Sequence, residues 1–294
     1  MRRLAHISDL HFGRHDPQVV ERLTEALVTT APDLAVISGD FTQRARHLQF
    51  AEARTFLEGL KAAGLRTLAI PGNHDVPLYD VARRFLSPLR RFRRYIEAEP
   101  FPAYFDEQIA VLGINTARSA AVAGGRVSHE QMAEIRRRFA RAPSGARRIL
   151  VTHHPLVELP WGEGGGPLKA AGRAEPALRT ALDAGVHLLL AGHHHRPFSG
   201  SATAFLAEGG SMLIVQSGTT TSTRLREHAN SFNLITDDGE TLSIAVEAWD
   251  GRGFATQESG AFRLEAGHWQ PVRTITPEPL DQMPAGPDPN AAAQ

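Results

Sequence analysis

Residues 4–11 read LAHISDLH and residues 33–40 read DLAVISGD. Each is a short apolar run that stops at small or polar residues, meets an acid, and gives way to a segment of helical period. That is how a strand hands over to a helix in a βα unit. The plan repeats outward: strand 3–8, helix 17–30, strand 34–38, helix 47–63, strand 66–71, then strand 109–115. A helix follows that opens on a capping box, Ser128 with Gln131 three residues on, and after it strand 148–152, helix 173–184 and strand 186–191. Beyond residue 211 the period falls to two, in MLIVQSG (212–218), SFNLITDD (231–238) and TLSIAVEAW (241–249), with Asp238-Gly239 as a hairpin turn. A βα half followed by a β-rich half predicts an α/β fold: a four-layer αββα sandwich of two mixed β-sheets, packed face to face and flanked by helices.

Composition narrows the chemistry. The 294 residues contain no cysteine, which excludes disulfides, thiolate metal sites and thiol nucleophiles. Any metal ligands are therefore His, Asp, Glu or Asn. Thirty-two basic residues balance thirty-two acidic ones, so no global field favours a nucleic-acid duplex, and none is expected as partner. Too few apolar residues precede Asp9 for a signal peptide, and no run approaches about 18 apolar residues, so the expectation is a cytoplasmic protein. One domain over 1–275 is expected, followed by a Pro-rich tail over 276–294 whose composition predicts disorder.

The chemistry-bearing residues share one structural place, the C-terminal end of a predicted strand, where α/β sheets carry their sites. Asp9 and His11 follow the first strand, Asp40 the second, and Asn73, His74 and Asp75 the third. The pair His153-His154 and the run His193-His194-His195 follow later strands. Nitrogen donors mixed with carboxylates suit transition ions rather than a dedicated Mg or Ca site. Two ions about 3.5–4 Å apart need a shared anionic ligand, and Asp40 is the natural bridge, one oxygen to each. Two carboxylates against two divalent ions leave the site about two charges positive, which draws in a phosphate and acidifies a bridging water. Gly39, Gly72 and Gly192 each precede a ligand, where the backbone must come close to the ions.

The ordered set DLH, GD, GNHD, HH and GHHH, spanning about residues 6–195, resembles the calcineurin-like metallophosphoesterase family, and most closely its bacterial cyclic-nucleotide phosphodiesterase-like members. The resemblance implies two divalent or transition ions (Mn, Fe, Zn or Co). Asp9, His11 and His195 would hold one, Asn73, His153 and His193 the other, and Asp40 would bridge. It implies that His74 protonates the leaving group, with Asp75 orienting the His74 ring, while a metal-bridging hydroxide attacks in line. The substrate would be a small phosphate ester, a cyclic nucleotide such as cyclic AMP or a related diester, and strands over 211–265 would complete the sandwich. Within the same chemistry the alternative is a pyrophosphohydrolase of a nucleotide–lipid of the UDP-diacylglucosamine type. A catalytically silent scaffold is a third reading, against which the complete ligand set argues.

Several features carry two readings. Either His153 or His154 can be the ligand, and strict alternation would make His193 and His195 co-facial and turn His194 away. Residues 83–96 carry six arginines and no acid, with apolar residues at 85, 89, 92 and 96. They read as a helix with a solvated basic face, or as a rim (Arg83 to Arg94) making peripheral contact with anionic substrate or membrane. Arg44 reads as a phosphate contact or a surface residue. Trp161 and the glycines of 162–166 read as a lid or as slack, and the polar stretch 217–224 as a loop satisfying its own turns.

Overall fold

The computed structural model describes residues 1–122, 124–158, 169–194, 212–223 and 229–275. The repeated unit is present as expected: β1 (Arg2–Ile7), α1 (Pro17–Thr30), β2 (Leu34–Ile37), α2 (His47–Ala62) and β3 (Thr67–Ala69). There follow α3 (Val81–Leu86), α4 (Arg90–Tyr95), β4 (Ala103–Phe105), β5 (Ile109–Gly113), α5 (His129–Phe139), β6 (Arg147–Val151), α6 (Ala174–Asp183) and β7 (Leu188–Ala191). The described residues end in β8 (Leu213–Gln216), β9 (Ser231–Asp237), β10 (Thr241–Trp249), β11 (Phe254–Glu265) and β12 (His268–Ile275).

The strands form two mixed sheets, one ordered β12-β11-β10-β9-β1-β2-β3 and the other β4-β5-β6-β7-β8. In the first, β1, β2 and β3 run parallel and β9 to β12 add antiparallel strands. Alternation along each strand divides the side chains into layers. Leu34 and Val36 of β2 meet Ile149 and Val151 of β6 and Leu188 and Leu190 of β7 in a core between the sheets. Ala35 and Ile37 face the opposite way, onto Leu23 of α1 and Phe50 of α2, while Leu150 and Leu189 face Ile135 of α5 and Ala181 of α6. Burial on both faces is why these strands read as unbroken apolar runs. The αββα sandwich is thus present.

Local signals act where expected. Ser128 Oγ accepts from the Gln131 N–H (3.1 Å) and Gln131 Oε1 from the Ser128 N–H (2.8 Å). Asp238 accepts from the N–H groups of Glu240 and Thr241 in the β9–β10 hairpin. The arginine-rich segment departs from expectation, since the single helix over 83–96 is two short ones. Pro88 pushes the residue before it out of the helical region, and Ser87 is at φ −156°, ψ 60°. The basic face is also only partly solvated: Arg84 is buried, and Arg91 donates to the Ala45 carbonyl. Residues 159–168, holding Trp161 and the glycine run, and the tail 276–294 lie outside the described residues.

Candidate metal centre

Five loops meet above the C-terminal ends of the strands, those after β1, β2, β3, β6 and β7. Asp9 is fully buried, and its Oδ2 accepts from Ser8 Oγ (2.6 Å) and from the His193 N–H (3.0 Å). Its Oδ1 turns toward His11 Nε2, 3.6 Å away. Asp40 is arranged likewise. Oδ1 accepts from the His74 N–H (2.8 Å), and Oδ2 lies 3.8 Å from His11 Nε2 and 3.4 Å from His153 Nε2. His153 Nδ1–H donates to the Ser38 carbonyl (2.8 Å), which fixes the tautomer and turns Nε2 inward. Asn73 donates its amide nitrogen to the Val122 carbonyl (3.2 Å), leaving Oδ1 at 3.1 Å from His153 Nε2.

These positions are held under strain. Asp9 (φ 55°), His11 (φ 49°), Asp40 (φ 53°) and His193 (φ 78°) all occupy the left-handed region. Asp and His tolerate it better than most residues, and each such residue costs about 1–3 kcal/mol that surrounding contacts must offset. Close approach accounts for the three glycines that precede ligands, and a Cβ on Gly39 would stand 2.6 Å from His153 Nδ1. A Cβ on Gly72 would stand 2.1 Å from Asp40 Oδ1, and one on Gly192 would stand 1.9 Å from Ser8 Oγ.

The donor set suits metal ions. Single donor atoms of Asp9, Asp40 and His153 lie within 4.8 Å of one another, as do those of His11, Asp40 and His74, and of His153, His154 and His193. Burial lowers the His193 pKa to about 3, with the positive charge of His153 adding to the effect, so this imidazole is neutral. For His153 burial acts in the same direction, but the Asp40 carboxylate outweighs it and raises the pKa to about 9. Asp40 is held well below the usual carboxylate range: burial opposes its ionisation, and the charges of His153 and His74 prevail.

The structure brings together Asp9, His11, Asp40, Asn73, His74, His153 and His193; His195 lies outside the described residues. Of the adjacent pair, His153 faces Asp40 and Asn73. His154 hydrogen bonds through Nδ1 with Thr116 Oγ1 (2.8 Å) and packs against the His193 ring. The alternation expected through the histidine run does not hold. The His194 N–H donates to the Gly192 carbonyl (3.0 Å), a γ-turn centred on His193, so the segment is not extended there.

The role expected of Asp75 is corrected too. Its carboxylate is taken by the N–H groups of Phe41, Thr42 and Gly72 and by Thr42 Oγ1, so it ties the Asp40 loop to the Asn73 loop. Burial and then the charge of Asp40 push its pKa to about 6, against those donors. The group that orients the His74 ring is the Gln43 carbonyl, which accepts from Nδ1–H (2.8 Å). Arg44 lies over the Tyr79 ring, 5.5 Å from its centroid.

Sequence reasoning missed the supporting residues. Thr219 Oγ1 donates to the Asp9 carbonyl (2.9 Å) and Thr221 Oγ1 to the Leu10 carbonyl (2.7 Å), and Gln216 donates to the Gly192 carbonyl. The stretch expected to satisfy its own turns clamps the first metal loop, and Gln216 just before it holds the loop after β7. His6 is buried beneath the site, bonded to Ser38 Oγ (2.9 Å), with its pKa lowered to about 3 by burial. Only the polarity of 217–223 between apolar strands hinted at such partners.

The family model described as calcineurin-like phosphoesterase matches residues 2–197. Among solved structures, the chain resembles a purple acid phosphatase from yellow lupin (Lupinus luteus) seeds, with 13% identity and a TM-score of 0.60. That alignment covers 88% of this chain and 53% of the lupin chain, so the protein spans about half the length of that relative. A dimetal phosphatase from Danio rerio aligns over 84% of this chain and 96% of its own, at 13% identity and a TM-score of 0.58. The anchor of the inner membrane complex of Plasmodium aligns over 87% and 88%, at 11% identity and 0.56. At such identities the likeness establishes the fold. No curated protein matches the sequence.

Proposed function

The chain belongs to the calcineurin-like phosphoesterase family, and we propose that it is a metal-dependent phosphoester hydrolase that cleaves a phosphodiester at a dinuclear centre. By the resemblance of the motif set, Asp9, His11 and His195 would hold one ion, Asn73, His153 and His193 the other, and Asp40 would be shared. When bound, the ions supply the positive charge that holds the phosphate and lowers the pKa of the attacking water. Mixed nitrogen and oxygen donors suit Mn, Fe, Zn or Co.

The observation that carries this reading is the setting of Asp40. Its Oδ2 lies between His11 Nε2 and His153 Nε2, which come from loops of the two different sheets, and Oδ1 is committed to the His74 N–H. Oδ2 is therefore the Asp40 oxygen that faces histidines from both sheets. His74 stands edge-on to His11, at 4.8 Å between ring centroids, and its Nδ1–H is held by Gln43. That leaves Nε2 to give a proton to the leaving oxygen. Cyclic AMP is the first substrate to assay, on the resemblance of the motif set to bacterial cyclic-nucleotide phosphodiesterase-like members.

Changing Asp40 to Asn is expected to lower turnover of an aryl phosphodiester in Mn²⁺ by about a thousandfold or more. Activity within tenfold of wild type would refute the shared-ligand assignment. A second reading, pyrophosphohydrolase action on a nucleotide–lipid, is favoured by the exposed apolar side chains of residues 78–86, five residues beyond Asn73. Comparing turnover of cyclic AMP with that of a nucleotide–lipid in mixed micelles separates the two.

A further inference from the structure

Ten large hydrophobic side chains are exposed among the described residues, and five fall in one nine-residue stretch: Leu78, Tyr79, Val81, Phe85 and Leu86. Phe85 is 60% and Leu86 85% exposed. The one buried residue of α3 is Arg84, whose guanidinium donates to the carbonyls of Pro77, Ser119 and Ala121. The helix is thus inside out, its arginine satisfied inward and its Phe and Leu outward. In water that orientation forfeits apolar burial.

The flanking charge indicates what covers the face. Arg90, Arg93 and Arg94 of α4 are exposed, and no acid occurs between Ser87 and Ile96, in a chain whose net charge is zero. The apolar residues of α4 are not part of this surface, since Phe92 is buried in the α2 layer and Leu89, Tyr95 and Ile96 pack against it. We propose that α3 and the loop before it dock on an anionic lipid surface, with Leu78, Tyr79, Phe85 and Leu86 entering the headgroup boundary and the α4 arginines meeting the anionic headgroups. A second copy would bring the same arginines and, between Ser87 and Ile96, no acid to meet them. A protein partner would need about 20 residues a side, far more than this face offers.

Docking and the metal centre share a loop. Arg84 holds Ser119 and Ala121, and the Val122 carbonyl, next along, accepts from the Asn73 amide. A docked molecule therefore holds the mouth of the site near the headgroups.

The test is co-sedimentation of the full chain with phosphatidylcholine vesicles, with and without about 30% phosphatidylglycerol. Binding is expected on the anionic vesicles and is expected to weaken with salt. The double variant Phe85→Ser with Leu86→Ser should bind at least about tenfold more weakly, and Arg93→Ala or Arg94→Ala about fivefold. Turnover of a soluble aryl phosphodiester should stay at the wild-type level in all three, so failure of docking is distinct from failure of the phosphodiesterase reading. No binding to anionic vesicles, equal binding by the double serine variant, or a dimer that this variant converts to monomer by light scattering would each overturn the proposal.

Discussion

Asp40 and His153 lie 3.4 Å apart in a fully buried site, placed to form an ion pair whenever the imidazole carries its proton. Burial alone would discharge His153, but the carboxylate outweighs it and the pKa rises to about 9. Since that value lies above neutral pH, the imidazole is protonated there, and a metal ion must displace the proton to reach Nε2. Loading with Mn²⁺ near neutral pH is expected to release about one proton from this residue, read by calorimetry in buffers of different ionisation enthalpy. His153→Ala should abolish that release, and an unchanged proton count in the variant would contradict the pairing. Affinity is expected to fall about tenfold per pH unit below about pH 9 as the proton competes. At this scale the kinds of ligand were legible, because Asp and His after strands at Gly-rich turns have few other uses. The left-handed backbone at Asp9, His11, Asp40 and His193 was not, since φ is imposed by bonds such as His11 N–H to the Asp40 carbonyl (2.9 Å).

Among the elements, the segment from Ser217 to Thr223 does most to position the site. It lies between β8 and β9 and bonds the first metal loop repeatedly, with Thr220 N–H to the Ser8 carbonyl (3.0 Å), Thr219 Oγ1 to Asp9, Thr221 Oγ1 to Leu10, and Thr223 N–H to Arg14 (2.8 Å) among the contacts. Replacing Thr219 and Thr221 by Val keeps their shape but strands two buried carbonyls, at a cost of about 1–3 kcal/mol each. The double variant should also bind Mn²⁺ about 10–100-fold more weakly, as removal of ligand-supporting groups typically does. Lower thermal stability with undiminished affinity would show that the clamp serves folding alone. No local pattern points to it, because its partners are more than 200 residues away in sequence. The break between α3 and α4, by contrast, was written in Ser87-Pro88, which a pattern of apolar spacing overlooks.

Across the whole molecule, the two sheets are fastened at the end opposite the metal loops. Arg147 at the start of β6 forms two bonds to Asp237 at the end of β9 (2.7 and 3.1 Å) and lies over the Trp269 ring of β12. Both ion-pair partners are about nine-tenths buried, with side-chain exposures of 11% and 8%. Removing one leaves a buried charge uncompensated, so Arg147→Met should destabilise the fold by about 2–3 kcal/mol in urea titration. Its metal content should match that of the wild type; reduced metal content at full stability would contradict the separation of fastening from function. No helix among the described residues is long and apolar enough to cross a membrane.

The sequence by itself determined the layered α/β architecture and the residue types at each strand end. Apolar period and turn chemistry are local properties, and each strand's burial on two faces is printed in its own run of residues. Tertiary structure alone decided that one oxygen of Asp40 faces histidines from both sheets, that Gln43 rather than Asp75 orients His74, and that α3 turns its apolar side outward. Those are outcomes of competition among groups distant in the chain for the same few donors and the same buried space. A sequence names the competitors, and only packing settles which contact each one makes.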